Sequence, residues 1–442
     1  MRVAFIQKDP LPDPYVAAVA AQAVFRGHQA RVFLPAAERD LAAAVRRFAP
    51  GALVFHVAGG FEDWASATGA WLSEVLGGPP VCWMGAFPSD HPELAHRHGV
   101  DFVLPGDPDE TVPELLWRIS LEKTLVGTMG TVTSRDGELV AGPEREAVTE
   151  LDETPAADLE IYRRYGFVQR QKTAPVLVGR GCIENLHAGF RIGVPELRRR
   201  FSPAPRHSVQ GAISRVQMMK QRRPFYRRFG FRDDTFCADA DWLMGFLARY
   251  RVEVELPFGC LARPDQLTPA VIDALADAGC DTVRVAVESG DPDLRRDVAG
   301  TEIPDGQVEA AVARLRERGL RVHTVSFLGV PGETPETAAR TVELLARLRP
   351  DHAFCFTVWD DPEAATTPEL QRLAWLVPYA ARVPALSRAV LSAMAKPADG
   401  LFQRLFQIQH DLGFVRSGEL PVTDMAWMLA RMSRRRAWPN RA

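Results

Sequence analysis

The chain has 442 residues, of which 46% are hydrophobic and 25% charged, with a formal net charge of −3. That length exceeds what one hydrophobic core usually serves, so two or three domains are expected. The balance is that of an ordinary globular protein and argues against a nucleic-acid or membrane-surface partner. The arginine runs Arg198–Arg200, Arg222–Arg223 and Arg434–Arg436 read as solvated faces or tails. Six cysteines (Cys82, Cys182, Cys237, Cys260, Cys280 and Cys355) lie far apart, the usage of a reducing compartment rather than of a disulfide scaffold. Residues Met1 to Ile6 read directly as a strand, and no apolar run is long enough to span a bilayer, so the expectation is a cytoplasmic protein.

In chain order, residues 1–124 alternate short apolar strands with amphipathic helices. Strands are expected at Val3–Ile6, Ala30–Leu34, Ala52–Val57, Val81–Met84 and Asp101–Leu104, with helices at Tyr15–Arg26, Glu38–Phe48 and about Trp64–Leu76. This pattern predicts a Rossmann-like parallel sheet, whose ligand lies beyond the carboxyl ends of the strands. Candidate contacts there are Gln7, Asp9, Val57, Gly59, Gly60, Gly85, Phe87 and Gly106. Residues 125–170 read as a hairpin over Thr131–Val140, turning at Asp136-Gly137, followed by an extended linker at Leu151–Pro155. From 171 to 360 the alternation resumes, with strands expected at 176–178, 229–232, 252–256, 281–287, 321–328 and 352–357. Helices are expected at 206–220, 239–250, 268–278, 305–318 and 334–348, which makes a partial (βα)6 barrel. The remainder, 361–442, reads as helical over Leu370–Ala395, Leu401–Leu412 and Val422–Arg431. Its Trp375, Phe402, Phe406 and Trp427 read as helix core or as a cover over the barrel mouth.

The strand at Val176–Val178 leads into a glycine-bracketed loop, Gly179-Arg-Gly-Cys-Ile-Glu-Asn-Leu-His-Ala-Gly-Phe190. With Phe231-Arg-Asp-Asp-Thr-Phe236, Gly279-Cys-Asp-Thr-Val-Arg-Val-Ala-Val-Glu-Ser-Gly290 and Phe327-Leu-Gly-Val-Pro-Gly-Glu-Thr334, it resembles the barrel of cobalamin-binding radical S-adenosylmethionine (SAM) proteins. The segments Trp83–Glu93 and Val100–Thr111 resemble the last third of that family's cobalamin domain, and Leu151-Asp-Glu-Thr-Pro155 resembles its linker. The resemblance implies an α/β chain: a Rossmann-like cobalamin-binding-type domain, a radical SAM barrel, and a helical tail. It further implies that Asp233 and Asp234 face the amino group of SAM, Glu288 its ribose, and Phe327, Leu328 and Gly329 its adenine. The residues alone allow a plainer reading: Asp234 caps a helix, Glu288 pairs with Arg284 or Arg263, and Gly329 and Gly332 form a turn.

The family's iron–sulfur cluster takes three thiolates spaced Cys-x3-Cys-x2-Cys. Cys182 holds the first position, but Leu186 and Gly189 hold the others, so the expectation is that no 4Fe-4S cluster forms. Glu184, His187, Cys237 and Cys260 are candidate substitute ligands on loops expected at the same mouth. Cys280 is expected to begin a strand at the opposite end. The Asp-x-His-x-x-Gly signature that would supply a cobalt ligand is absent after the first strand, where the chain reads Asp9-Pro-Leu-Pro-Asp-Pro14. His56, near the end of the third strand, reads as a packed or rim residue.

Three functional readings follow. The first is a SAM- and cobalamin-binding enzyme performing polar methyl or alkyl transfer to a small-molecule or peptide substrate. The second is a non-catalytic binding or partner protein. The third is a radical methyltransferase that holds its cluster with substitute ligands.

Overall fold

The computed structural model describes residues 1–146, 148–180, 205–234, 236–297, 300–357 and 368–394. It divides into two compact units, the first running from Met1 to Arg170 and the second beginning at Gln171.

The first unit is built on β1 (Arg2–Gln7), α1 (Pro14–Phe25), β2 (Gln29–Phe33), α2 (Leu41–Phe48), β3 (Ala52–His56), α3 (Glu62–Leu76), β4 (Val81–Met84), α4 (Ala86–Asp90), β5 (Phe102–Leu104) and α5 (Thr111–Ser120). Strands β1 to β5 are parallel in the order β2-β1-β3-β4-β5. Strands β1, β3 and β4 are buried on both faces, which suits their nearly continuous apolar sequences. Trp83, Phe55, Phe33 and Ile6 are fully buried and anchor the core between the sheet and its helices. The order reverses between β1 and β3, so the loops at Gln7–Asp13 and His56–Gly60 flank the switch point where open α/β sheets bind ligands.

Hairpin β6 (Val132–Arg135) and β7 (Glu138–Ala141) turns at Asp136 (φ 52°) and Gly137 (φ 83°), as the Asp-Gly pair requires. It extends the sheet antiparallel from β5, giving seven strands in all, so it is sheet edge rather than connector. The following segment is also more than an extended linker. A 3₁₀ turn at Leu159–Tyr162 and the short α6 (Gly166–Gln169) return buried tyrosines to the first unit. The Tyr162 hydroxyl donates to Gln7 Oε1 (2.5 Å) and accepts from the Asp13 N–H (3.2 Å). The Tyr165 hydroxyl accepts from the Leu34 N–H (2.9 Å) and donates to Glu38 (2.7 Å).

The second unit is a parallel half-barrel of six strands: β8 (Thr173–Val176), β9 (Arg228–Phe231), β10 (Phe258–Ala262), β11 (Cys280–Glu288), β12 (Arg321–Leu328) and β13 (His352–Thr357). They are joined by α7 (Val209–Arg222), α8 (Ala240–Glu253), α9 (Pro269–Asp277), α10 (Pro292–Asp297), α11 (Asp305–Glu317) and α12 (Pro335–Leu348), and followed by α13 (Pro368–Arg382) and α14 (Ser387–Met394). An aromatic cluster holds α8 to the sheet: Phe231 meets Phe236, Phe246, Tyr250 and Phe258 at centroid distances of 4.5–6.0 Å.

Two strand expectations are corrected. The first barrel strand is 173–176 rather than 176–178, and the third is 258–262 rather than 252–256. Helix α8 runs through Glu253, ahead of β10, so the alternating Val252-Glu-Val-Glu-Leu256 segment is helix end and turn. The side chain of Trp375, together with Phe402, Phe406, Trp427 and the helices expected at Leu401–Leu412 and Val422–Arg431, lies outside the described residues.

Removing the Tyr162 hydroxyl leaves a buried Gln7 carbonyl and a backbone N–H without their partner. Tyr162→Phe is therefore expected to destabilise the first unit by about 1–3 kcal/mol, measured by urea unfolding followed by circular dichroism. An unchanged midpoint would show that the tyrosine is not the tie described.

Candidate functional site

In the first unit the carboxyl ends of β1, β3 and β4 meet at Gln7, His56 and Gly85. Gln7 is buried and its amide is engaged locally, donating to the carbonyls of Asp9 (2.7 Å) and Leu11 (2.5 Å). Asp9 Oδ1 accepts from the Leu11 N–H (3.2 Å), so both predicted residues shape the loop. Asp13 caps α1 by accepting from the Tyr15 N–H (2.8 Å), and its other oxygen lies 2.9 Å from His56 Nδ1. Burial pulls the His56 pKa down, but the Asp13 carboxylate outweighs it and raises the net value. Burial likewise works to raise the Asp13 pKa, and His56 brings it below the ordinary carboxylate range.

Val57 is buried, with its N–H on the Met84 carbonyl (3.0 Å), and Gly59 and Gly60 follow it toward solvent. Gly85 adopts φ 126°, and a Cβ there would stand 3.0 Å from both the His56 ring and the Val57 carbonyl. Phe87 stacks on His91 at 4.6 Å. Gly106 opens on free space, with nothing within 4 Å of the point a Cβ would occupy. This end of the sheet thus offers glycine surface beside an oriented imidazole, a floor suited to a broad planar group.

In the second unit Asp233, just past β9, is buried, and its Oδ1 accepts from the N–H groups of Val178 (2.9 Å) and Gly179 (2.6 Å). Its other oxygen is buried without a hydrogen-bond partner. Burial pushes its pKa up to about 7 despite those two donors and nearby Arg206. The same neck is closed by antiparallel backbone bonds, Arg180 N–H to Pro205 O and His207 N–H to Val178 O, both 2.9 Å. These bonds pin together the two ends of the stretch that carries Cys182, while Cys182, Glu184 and His187 themselves lie outside the described residues.

Asp234 is half-buried beside Asp233. The cap of α8 is Asp239, which accepts from the Trp242 N–H (2.9 Å), so the helix-cap alternative for Asp234 is corrected. Glu288 ends β11 buried, in the left-handed region at φ 63°, where the ladder to β12 is irregular. That conformation costs energy in a non-glycine residue and concentrates at working sites. Gly290, two residues on, lets the chain pack closely on α12: a Cβ there would lie 2.3 Å from the Thr341 backbone, and its N–H donates to Thr341 Oγ1 (2.8 Å). Of the two arginines considered for Glu288, Arg263 pairs with Asp265. Phe327 and Leu328 close β12, and the Gly329 N–H donates to the Glu333 carboxylate.

Glu333 is a site residue that the sequence does not announce. The residue is half-buried, but desolvation of its carboxyl raises the pKa to about 7, and its Oε1 is shut away from solvent without a hydrogen-bond partner. A glutamate following a Val-Pro-Gly turn carries no signal of burial in the sequence itself.

The cysteine expectation is corrected. Cys260 lies within β10 rather than on a mouth loop, while Cys280 begins β11 as expected; Cys237, Cys260 and Cys280 form a buried string of thiols. Hydrogen bonding to Cys237 and burial raise the Cys260 pKa, which favours thiol over thiolate. Among the described residues no group of three or more His, Cys, Asp or Glu is placed to hold a metal ion.

Comparison with known proteins agrees with this architecture. Residues 202–345 match the family model described as the radical SAM superfamily. An uncharacterized methyltransferase of Pyrococcus horikoshii is 24% identical over 287 residues, covering 63% of this chain and 59% of that protein's length. Among solved structures, the radical SAM methyltransferase TsrM from Kitasatospora setae, with tryptophan substrate and a SAM analogue, aligns with a TM-score of 0.64 at 18% identity, over 80% of this chain and 72% of that one. The cobalamin-dependent SAM radical enzyme OxsB, with aqua-cobalamin bound, aligns with a TM-score of 0.64 at 14% identity, over 80% of this chain and 53% of that one. At these identities the structural likenesses establish the fold: an α/β chain with an N-terminal mixed sheet, a radical SAM-type half-barrel and C-terminal helices.

Glu333 carries a sign-definite pH effect. Its ordinary pKa of 4.5 rises to about 7 in the fold, so the native state keeps a proton that the unfolded chain releases. Stability is therefore expected to fall by on the order of 1–3 kcal/mol as pH rises across that interval. Glu333→Gln should flatten this dependence in urea titrations at pH 5 and pH 8; an unaltered slope would contradict the assignment.

Proposed function

We propose that this chain, whose second unit is a radical SAM-type half-barrel, binds SAM and cobalamin and transfers a methyl group to a small-molecule or peptide acceptor. The observation that carries the reading is the gathering of two buried acids and one half-buried acid at the strand ends of one half-barrel. Asp233 follows β9, Glu288 ends β11 in a strained conformation, and Glu333 follows β12. A scaffold kept only for stability gains little from such acids, two of them with an unpartnered oxygen, whereas a polar, cationic ligand supplies what they lack.

In this reading Asp233 and Asp234 receive the SAM ammonium, which would draw the proton from Asp233. Glu288 accepts hydrogen bonds from the ribose hydroxyls, and backbone at Phe327–Gly329 borders the adenine. The Pyrococcus relative is described as a methyltransferase, and TsrM and OxsB are described as SAM enzymes. Cobalamin suits the first unit: Gly106 leaves open space past the end of β5, and the imidazole of His56 is oriented by Asp13. When bound, cobalamin supplies a cobalt centre able to relay a methyl group, and an iron–sulfur cluster supplies the electron for radical chemistry.

The chain's similarity to radical SAM enzymes favours the radical route, with Cys182 and substitute ligands holding the cluster. Leu186 and Gly189 at the other two motif positions favour a polar transfer without a cluster, the second reading.

Anaerobic reconstitution separates the two. Near-stoichiometric iron with sulfide supports the radical route, and methyl transfer by an iron-free chain supports the polar one. Binding of neither SAM nor cobalamin would overturn both. Gly106→Leu, which fills the open space at the first unit's strand ends, should weaken cobalamin binding at least about tenfold by absorbance titration while leaving SAM binding intact. Equal cobalamin affinity in the variant would place the cofactor elsewhere.

A further inference from the structure

Along β12, Val322, Thr324, Ser326 and Leu328 are buried, whereas His323, Val325 and Phe327 alternate with them and are half-buried. The half-buried set lines the inner face of the half-barrel. Parallel register carries that face sideways: Leu261 pairs with Arg284, Arg284 with His323, and His323 with His352. Phe354 pairs with Val325, and Phe356 with Phe327. The inner wall thus sets Arg284 beside His323 and a run of flat aromatic side chains. Phe354 and Phe356 are parallel at 6.3 Å, Phe327 lies 5.9 Å from Phe356, and the Arg284 guanidinium sits 5.6 Å over the Phe354 ring.

The charges on this wall do not balance at Arg284. At the start of the strands Arg228 forks onto Asp281 (2.6–3.0 Å), and Arg321 reaches the same carboxylate at 3.3 Å. Arg284 has no carboxylate partner among the described residues. Burial lowers its pKa to about 9, helped by its cationic neighbours Arg232 and Arg228. His323, paired beside it, adds no further positive charge, since burial and Arg284 hold it neutral, with a pKa of about 3. A partly desolvated guanidinium facing other cations is costly unless an anion completes it. The planar fork of a guanidinium matches the flat two-oxygen edge of a carboxylate.

We propose that Arg284 binds the carboxylate of the acceptor substrate, whose flat apolar body packs on Phe327, Phe354 and Phe356. This makes the acceptor a planar organic acid. Calling the ligand the acceptor rests on the methyl-transfer reading; the anion site itself does not.

The test uses the full chain and a matched probe pair, 4-fluorophenylacetate and 4-fluorophenylacetamide, titrated by fluorine NMR. The acid is expected to bind at least about tenfold more tightly than the amide, the worth of a charged hydrogen-bond pair. Arg284→Gln should bring the two within about twofold, and Arg284→Lys, which keeps the charge without the fork, should retain part of the preference. The exposed Arg296→Gln serves as a control and should leave the preference unchanged. Equal binding of acid and amide, binding of neither, or a full preference surviving in Arg284→Gln would overturn the proposal. Displacement of the acid by SAM would assign Arg284 to the carboxylate of SAM itself and equally overturn it. SAM calorimetry on the same samples separates the two claims. An Arg284-dependent acid preference without SAM binding would leave the anion site standing and defeat the methyl-transfer reading.

Discussion

The half-barrel depends on a carboxylate that would be costly if it were not tied down. Asp233 is buried, and its Oδ1 gathers the N–H groups of Val178 and Gly179, joining the exit of the first strand to the exit of the second. Two backbone donors on a single oxygen fix where the chain leaves β8. The antiparallel bonds from Arg180 and His207 then close the neck of the stretch that follows. The second Asp233 oxygen has no such partner, so the same residue that orders the mouth also holds unfilled hydrogen-bonding capacity beside it. Structural and ligand roles are not competing explanations here, because each uses a different oxygen.

The same economy recurs at other strand ends. Glu288 sits at positive φ two residues before Gly290, whose lack of a side chain lets it pack on Thr341, and Glu333 takes the Gly329 N–H while leaving one oxygen without a partner. In the first unit, Asp13 caps a helix with one oxygen and orients His56 with the other. Acids in both units thus divide their oxygens between holding the fold and a second task. That second task lies at the carboxyl ends of parallel strands, where α/β proteins place their chemistry.

Much of this is legible in the sequence, and the failures have physical causes. The strands at 321–328 and 352–357 can be read to the residue because they are short runs rich in β-branched and aromatic residues, set off by Gly319, Gly329 and Pro350. The strand at 258–262 escapes such a reading because Phe-Gly-Cys-Leu-Ala is short and buried on both faces, whereas Val252-Glu-Val-Glu-Leu256 has strand-like alternation. The family resemblance locates Asp233 and Glu288, but burial and half-satisfaction are tertiary facts without a local signature. The same holds for the Asp13–His56 pair and for Arg284, whose interest is the missing carboxylate; a sequence displays the arginine and not the gap around it. His56 reads as packed or rim in the sequence, and it is half-buried at the end of β3, where Asp13 holds its ring.

The central claim is that the strand ends of the half-barrel bind SAM. Calorimetric titration of SAM into the full chain and into Glu288→Ala tests it most directly. The account predicts saturable one-site binding by the native chain, weakened by about 1–3 kcal/mol in the variant as one charged hydrogen bond is lost. Absence of binding by the native chain, or equal affinity in the variant, would contradict it.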